Sequence, residues 1–286
     1  MVGASDPGKK STGVRSLDPL EPPVRPLELC DLCETARVVY VPGSVQVPYR
    51  TTIQVPVPPF DGGRNGQDTK FGLDAVFCNV DLSLRKQYCA CSAPAEDQEQ
   101  DALADRVCGA FCADARRHAN SLLVDALLRG AGNTRTSLHV PVAGDVWGAE
   151  AYVSCALGAL YRNPGLQFPL DFVCVLPSSR LADLLVAPAA KSALSRPDGK
   201  TCVNVAGLDF VAYGPAITDP DTAQDRLQPA FVMPRHGILG LAISDITVKA
   251  KLDSGRLNFD GRYLVGVDVL RPDGIVVMLP AASSGA

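Results

Sequence analysis

Residues 80–132 read VDLSLRKQYCACSAPAEDQEQDALADRVCGAFCADARRHANSLLVDALLRGAG, and this stretch decides the fold. Its second half places Leu103, Val107, Phe111, Ala115, Ala119, Leu122 and Ala126 at spacings of three and four. That period puts them on one stripe of a helix running from about Asp97 to Arg129. Asp97, Glu99 and Asp101 crowd its start and Arg129 sits at its end, each complementing the helix dipole. Gly130 offers a left-handed stop. Such a helix is about 45 Å long at 1.5 Å per residue. With no second helix of similar length, it reads as a spine beneath a sheet.

Upstream, the pattern changes to short β-rich pieces. RVVYV, SVQV and TTIQVPV lie between Ala36 and Pro59, and AVFCNVDLSLRKQYCAC ends at Cys91. Prolines punctuate the first set, which suits edge strands. Between the two sets, FDGGRNGQDTKFG (residues 60–72) stacks Gly, Asn and Asp and reads as a loop. Together they predict a hairpin of some forty residues that is too polar to be a domain of its own, so it needs another surface to lie on. Residues 1–29 carry Pro7, Pro19, Pro22, Pro23 and Pro26 and no hydrophobic period. They read as an extended arm that orders only where a neighbour holds it.

Downstream, a second helix is expected from about Ala149 to Tyr161. DFVCVLP reads as a buried strand, and Ser178 as the cap of a following helix. VNVAGLDFVAYG reads as two strands joined at Ala206-Gly207. The last third reads as β throughout, with turns at Asp253–Gly255, Asp260-Gly261 and Asp273-Gly274.

The chain has 286 residues, 27 Lys+Arg, 31 Asp+Glu and a net charge of −4. That balance excludes a strongly basic nucleic-acid binder and an acidic tail. Arg116, Arg117, Arg235, Lys249, Lys251 and Arg256 are interleaved with acids and read as a solvated mixed-charge surface. No apolar run approaches a membrane span, and the N-terminus lacks the apolar stretch of a signal peptide, so a soluble cytoplasmic product is expected. The ten cysteines lie mostly among apolar residues, as Cys174, Cys155 and Cys202 do, and are expected to be reduced and structural.

No dinucleotide, P-loop or nucleophile-elbow motif occurs, and His118, His139 and His236 are scattered. One constellation has metal-site spacing: Cys30-x-x-Cys33 with Cys89-x-Cys91, which would clamp the two feet of the hairpin through zinc. The alternative is four incidental thiols at strand ends. C-x-C is poor for tetrahedral geometry and no Gly-rich knuckle follows either pair, so neither a metal nor any cofactor is expected.

From about Val38 to Leu279, the element order resembles the major capsid proteins of tailed bacteriophages, the Hong Kong 97-type fold. Residues 80–132 resemble the second strand of that family's extended loop, followed by its spine helix. LDFVCVLPSSRLADLL (170–185) resembles the axial-domain strand and its Pro-Ser-initiated helix. GKTCVNVAGLDFVAYGPAI (199–217) is similar to a family passage in which a single Gly stands where this chain has Ala206-Gly207. AFVMPRHGILGLAISDITVKAKLD (230–253) resembles the return into the peripheral domain, and RYLVGVDVLRPDGIVVML (262–279) the closing strands.

The resemblance implies an α+β fold with the arm at 1–45 and the extended β-hairpin loop at 46–95. The peripheral domain with its spine helix would take 96–140 and 243–264, and the axial domain 141–242 and 265–286. It implies a non-enzymatic subunit that self-assembles through pentamers and hexamers into an icosahedral shell around phage double-stranded DNA. That DNA would be touched weakly and non-specifically. Separate scaffold, portal and possible cement proteins would be the other partners, with no membrane. Location would be the virion capsid, after assembly in the host cytoplasm. Phe60, Arg64, Lys70 and Phe71 at the loop tip are expected to contact a neighbouring subunit; no cross-link through Lys70 is expected. Two alternatives remain open here: an encapsulin-like nanocompartment shell, and a thiol- or zinc-dependent enzyme or binding module.

Overall fold

The computed structural model describes residues 14–20, 27–38, 49–57, 76–94, 100–131, 137–140, 154, 158, 172–178, 180–181, 184, 191–195, 201–205, 208–214, 229–253 and 255–280. In chain order the strands are β1 (Val14–Leu17), β2 (Cys33–Val38), β3 (Tyr49–Val57) and β4 (Val76–Pro94). After helix α1 (Gln100–Ala131) come β5 (Ser137–Val140), β6 (Phe172–Pro177), β7 (Lys191–Ser195), β8 (Thr201–Val205) and β9 (Leu208–Tyr213). The last are β10 (Ala230–Pro234), β11 (Leu239–Ser244), β12 (Ile246–Asp253), β13 (Arg256–Val269) and β14 (Val276–Pro280). A 3-10 turn at Leu29–Leu32 precedes β2.

The first sheet is built around β13. One edge of β13 pairs with β4, from Arg256↔Pro94 to Val265↔Arg85. The other edge pairs with β12 over Thr247↔Arg262 to Asp253↔Arg256, then with β11 over Ile243↔Val265 to Leu239↔Val269. Three residues (244–246) therefore face two (263–264), which is a β-bulge. Its orphaned donor is satisfied by a side chain: Leu264 N–H donates to Ser244 Oγ at 2.9 Å, and the Ser244 hydroxyl donates to Asp245 O at 3.0 Å. β2 lies parallel on the outer edge of β11, and β1 antiparallel on that of β12. The β12–β13 connection carries Gly255 at φ 75°, left-handed backbone that glycine adopts without strain.

Helix α1 begins at Gln100 and ends at Ala131, one residue past the Gly130 expected to stop it. Val107, Phe111, Ala115, Ala119, Leu123, Ala126 and Leu127 are buried; Leu103 and Leu122 are partly so. Leu123, fully buried, takes the place that the apolar period assigns to Leu122. Both choices fit a 3.6 period from Ala119, and only packing against the sheet selects between them. Ala115 and Ala119 let the helix sit close. So does Gly261, where a Cβ would overlap Cys89 Sγ and lie 2.9 Å from Phe111 Cδ2. Asp260-Gly261 is accordingly inside β13 and not a turn.

The second sheet has the order β5-β14-β10-β6-β9-β8-β7. β6 is buried at every position and runs parallel to β9 and antiparallel to β10, as its continuous apolar sequence predicts. Ser178 donates its hydroxyl to Tyr213 O at 3.1 Å, so it ties the β6 exit to β9. Of the helix read at 149–161, positions 154 and 158 are described, and both are helical. One apolar cluster runs through both sheets, joining Phe111 and Leu123 to Leu241, Phe259 and Tyr263 and to Val175, Phe231 and Val277. Each fully buried Leu or Phe in it contributes about 1.5–3 kcal/mol. Strands β11, β12 and β13 of the first sheet span 239–269.

Candidate assembly surface

The hairpin of β3 and β4 grows out of the first sheet as one continuous strand. Residues 85–94 of β4 pair with β13; residues 76–84 leave that partner and pair, among the described residues, with β3, from Tyr49↔Leu84 to Val57↔Val76. The departure point is Gly266, where a Cβ would stand 2.5 Å from Ser83 O and 2.9 Å from Leu84 Cδ2. Glycine is needed there because the backbone of β4 crosses over β13. The hairpin base is seated on the sheet face away from α1, by a small core of Ile53, Leu82, Leu84, Ala242 and Leu264. Thr52 donates to Asp81 Oδ1 at 2.6 Å across the ladder. The tip residues Phe60, Arg64, Lys70 and Phe71 lie outside the described residues.

The N-terminal strand differs from its sequence expectation. β1 is held within the chain, by its ladder to β12 and by side chains on both sides. Arg15 donates to Asp105 Oδ1 at 2.6 Å, and Ser16 to Asp245 Oδ2 at 2.9 Å. Just beyond, Arg37 donates to Asp18 at 2.7 Å and Arg116 to Pro19 O at 3.0 Å. Burial pushes the Asp18 carboxyl up, but the Arg37 hydrogen bond, the Leu20 N–H and the Arg37 charge outweigh it and leave its pKa lowered. Asn120 anchors the 3-10 turn: its Oδ1 accepts from Cys30 N–H at 2.9 Å and its Nδ2 donates to Glu28 at 3.1 Å. Leu27, Leu29 and Leu32 are buried in the main core, so this part of the N-terminal region needs no neighbour to order it.

The two cysteine pairs do not assemble into one site. Cys30 and Cys33 belong to the turn beneath α1; Cys89 lies opposite Gly261 under Phe111, and Cys91 is exposed on β4. Among the described residues, no group of three or more His, Cys, Asp or Glu is placed to hold a metal. Burial, reinforced by nearby negative groups, raises Cys33 well above its ordinary value and pushes Cys89 up to about 11. Cys108, Cys112 and Cys174 are also raised, with burial the largest cause. A thiol that resists ionisation is a poor ligand and a poor nucleophile. The eight cysteines whose side chains are described are free thiols.

The basic residues separate into distinct settings. Arg235 is paired with Asp209, both nearly buried, and Asn204 donates to the same carboxylate at 2.7 Å. Removing either partner of such a pair leaves a buried charge uncompensated. Arg116 faces Glu28, and Arg117 pairs with Asp114 along the helix surface. Lys249, Lys251 and Arg256 project from the first sheet. Among the described residues, no helix is long and apolar enough to cross a membrane.

No family model and no curated protein matches the sequence. Solved structures do match in fold. A chain in the capsid structure of the Cyanophage P-SCSP1u superposes with a TM-score of 0.53 and 13% identity, over 98% of this chain and 93% of that one. The capsid of an empty GTA particle gives 0.52 and 15%, over 97% and 96%. The capsid of Ralstonia phage GP4 gives 0.52 and 11%, over 99% and 96%.

Proposed function

We propose that this chain, which has the Hong Kong 97-type fold of phage capsid proteins, is the subunit of an icosahedral shell enclosing the double-stranded DNA of a tailed phage. The observation that carries the reading is agreement in fold with three capsid chains over nearly the whole length of each. The projecting hairpin supports it: beyond its base, β4 pairs among the described residues only with β3, an arrangement that another copy could bury.

In this reading α1 is the spine helix and 46–95 the extended loop, whose Phe60 and Phe71 are buried on a neighbour while Arg64 or Lys70 pairs with a facing acid. Residues 1–45 form the arm, held in part by the chain's own core. The peripheral pieces are 96–140 and 243–264, and the axial pieces 141–242 and 265–286. The subunit is structural and not catalytic, associates into pentamers and hexamers, and works with separate scaffold and portal proteins. It is placed in the virion capsid after assembly in the host cytoplasm.

Electron microscopy of the purified chain, and of particles from infected cells, tests this reading. Closed shells, DNA-filled in the infected cell, are the expected result. A sharply folded monomer at micromolar concentration, unchanged on concentrating, would falsify it.

A further inference from the structure

Sequence order scatters the cations of the first sheet, and strand register gathers them. Successive side chains of a strand point to opposite faces, and directly paired residues share a face. Arg262 pairs with Tyr88 and Thr247, Asp260 with Lys249, Asn258 with Lys251, and Leu264 with Lys86. Arg256 follows the same alternation and donates its Nε–H to Ser92 Oγ at 3.0 Å. The face opposite α1 therefore carries a row of Lys86, Arg262, Lys249, Lys251 and Arg256, with Tyr88 at the Lys86–Arg262 end. Asp253 and Asp260 are the carboxylates that the register sets among them, and Asp245 at its border accepts from Ser16.

Five cations on one sheet face stand out in a chain whose net charge is −4. All but Lys86 are exposed, and Tyr88 is 63% exposed, far above the burial usual for an aromatic ring in a sheet. Lys86 Nζ lies 5.3 Å and Arg262 Cζ 5.6 Å from the Tyr88 ring centroid, so both cations sit close to the ring. Lys249 and Lys251 are about 6.8 Å apart along β12.

We infer that this face is a platform for a nucleic-acid phosphate backbone, with Tyr88 offering a stacking surface to an unpaired base. The charge complementarity is to a polyanion, and the exposed Tyr88 ring favours one that carries bases. The platform stands on register and charge alone. That it lines the inside of a shell rests on the reading proposed above.

The test uses the full-length chain, nuclease-treated and fractionated by size. Protected nucleic acid per subunit is measured in any particle fraction. Anisotropy of labelled duplex DNA, single-stranded DNA, RNA and polyglutamate is measured in any subunit fraction, at two salt concentrations. Lys249→Glu/Lys251→Glu is expected to weaken binding at least tenfold, or to cut protected nucleic acid to the same degree. The neutral pair Lys249→Gln/Lys251→Gln should lower the salt slope by about one for each phosphate that it no longer neutralises. Tyr88→Ala should weaken single strands more than duplex. Arg117→Glu, on the exposed side of α1, should change none of these.

Binding by the neutral pair equal to that of Arg117→Glu overturns the platform, as does polyglutamate binding as tightly as the nucleic acids. Circular-dichroism melts identify variants that fail to fold, and the neutral pair then decides. Normal shells formed by a variant that has lost nucleic acid uphold both inferences. Nucleic-acid binding by a chain that never forms shells overturns the shell reading alone.

Discussion

Ser244 Oγ carries the change of register between β11 and β12. Its side chain is almost fully buried and accepts from Leu264 N–H, the donor that the bulge would otherwise strand. Ser244→Ala removes the acceptor and leaves that N–H buried without it. The expected loss is about 1–3 kcal/mol, read as a lower midpoint in denaturant with unchanged slope. A Ser244→Ala midpoint equal to wild type would mean that water or a shifted strand replaces the hydroxyl. Gly261 and Gly266 act at the same scale by what they lack, one admitting the helix and the other the crossing strand. In sequence, Asp260-Gly261 carries ordinary turn chemistry. The approach of Cys89 and Phe111 is what explains a glycine in the middle of a 14-residue strand.

Among the elements, β1 depends most on charge. It is short, edge-on and largely exposed, with Val14 62% exposed, so its ladder to β12 contributes little hydrophobic burial. Arg15–Asp105, Arg37–Asp18 and Arg116–Glu28 fasten it and the segment that follows. Asp18 has a lowered pKa in the fold. Its contribution is therefore complete above the unfolded value of about 3.9 and is lost as pH falls through the lower folded one. Amide exchange of residues 14–17 should rise as pH is lowered through that window, relative to α1 amides corrected for intrinsic rates. Arg37→Met should weaken the dependence. Protection of β1 that stays flat as pH falls from neutral until Asp18 is protonated in the fold would show that the ladder alone holds it. The helix was legible because its period is local, whereas the attachment of β1 was not: Ser16 and Asp245 are 229 positions apart.

At the scale of the whole molecule, the projecting hairpin has, among the described residues, a small core at its base. Replacing Arg64–Thr69 with a short Gly-Ser turn should leave the thermal melt within a few degrees of wild type, because little of the subunit's own core is touched. The same variant should yield folded subunits that fail to close into shells in electron microscopy. Normal shells would remove the tip from the contact between subunits; a collapsed melt would assign it to the subunit's core. By itself the sequence determined the elements whose signals are local: the apolar period of α1, the hairpin around a Gly-rich loop, and the buried run of β6. Tertiary structure decided which of these elements touch and in what register. That set Leu123 over Leu122 beneath the helix, kept the two cysteine pairs apart, held β1 within the chain, and gathered cations from β4, β12 and β13 on one face. The physical reason is that register is fixed by packing between segments distant in sequence. A single residue of bulge or slip moves every side chain beyond it to the opposite face.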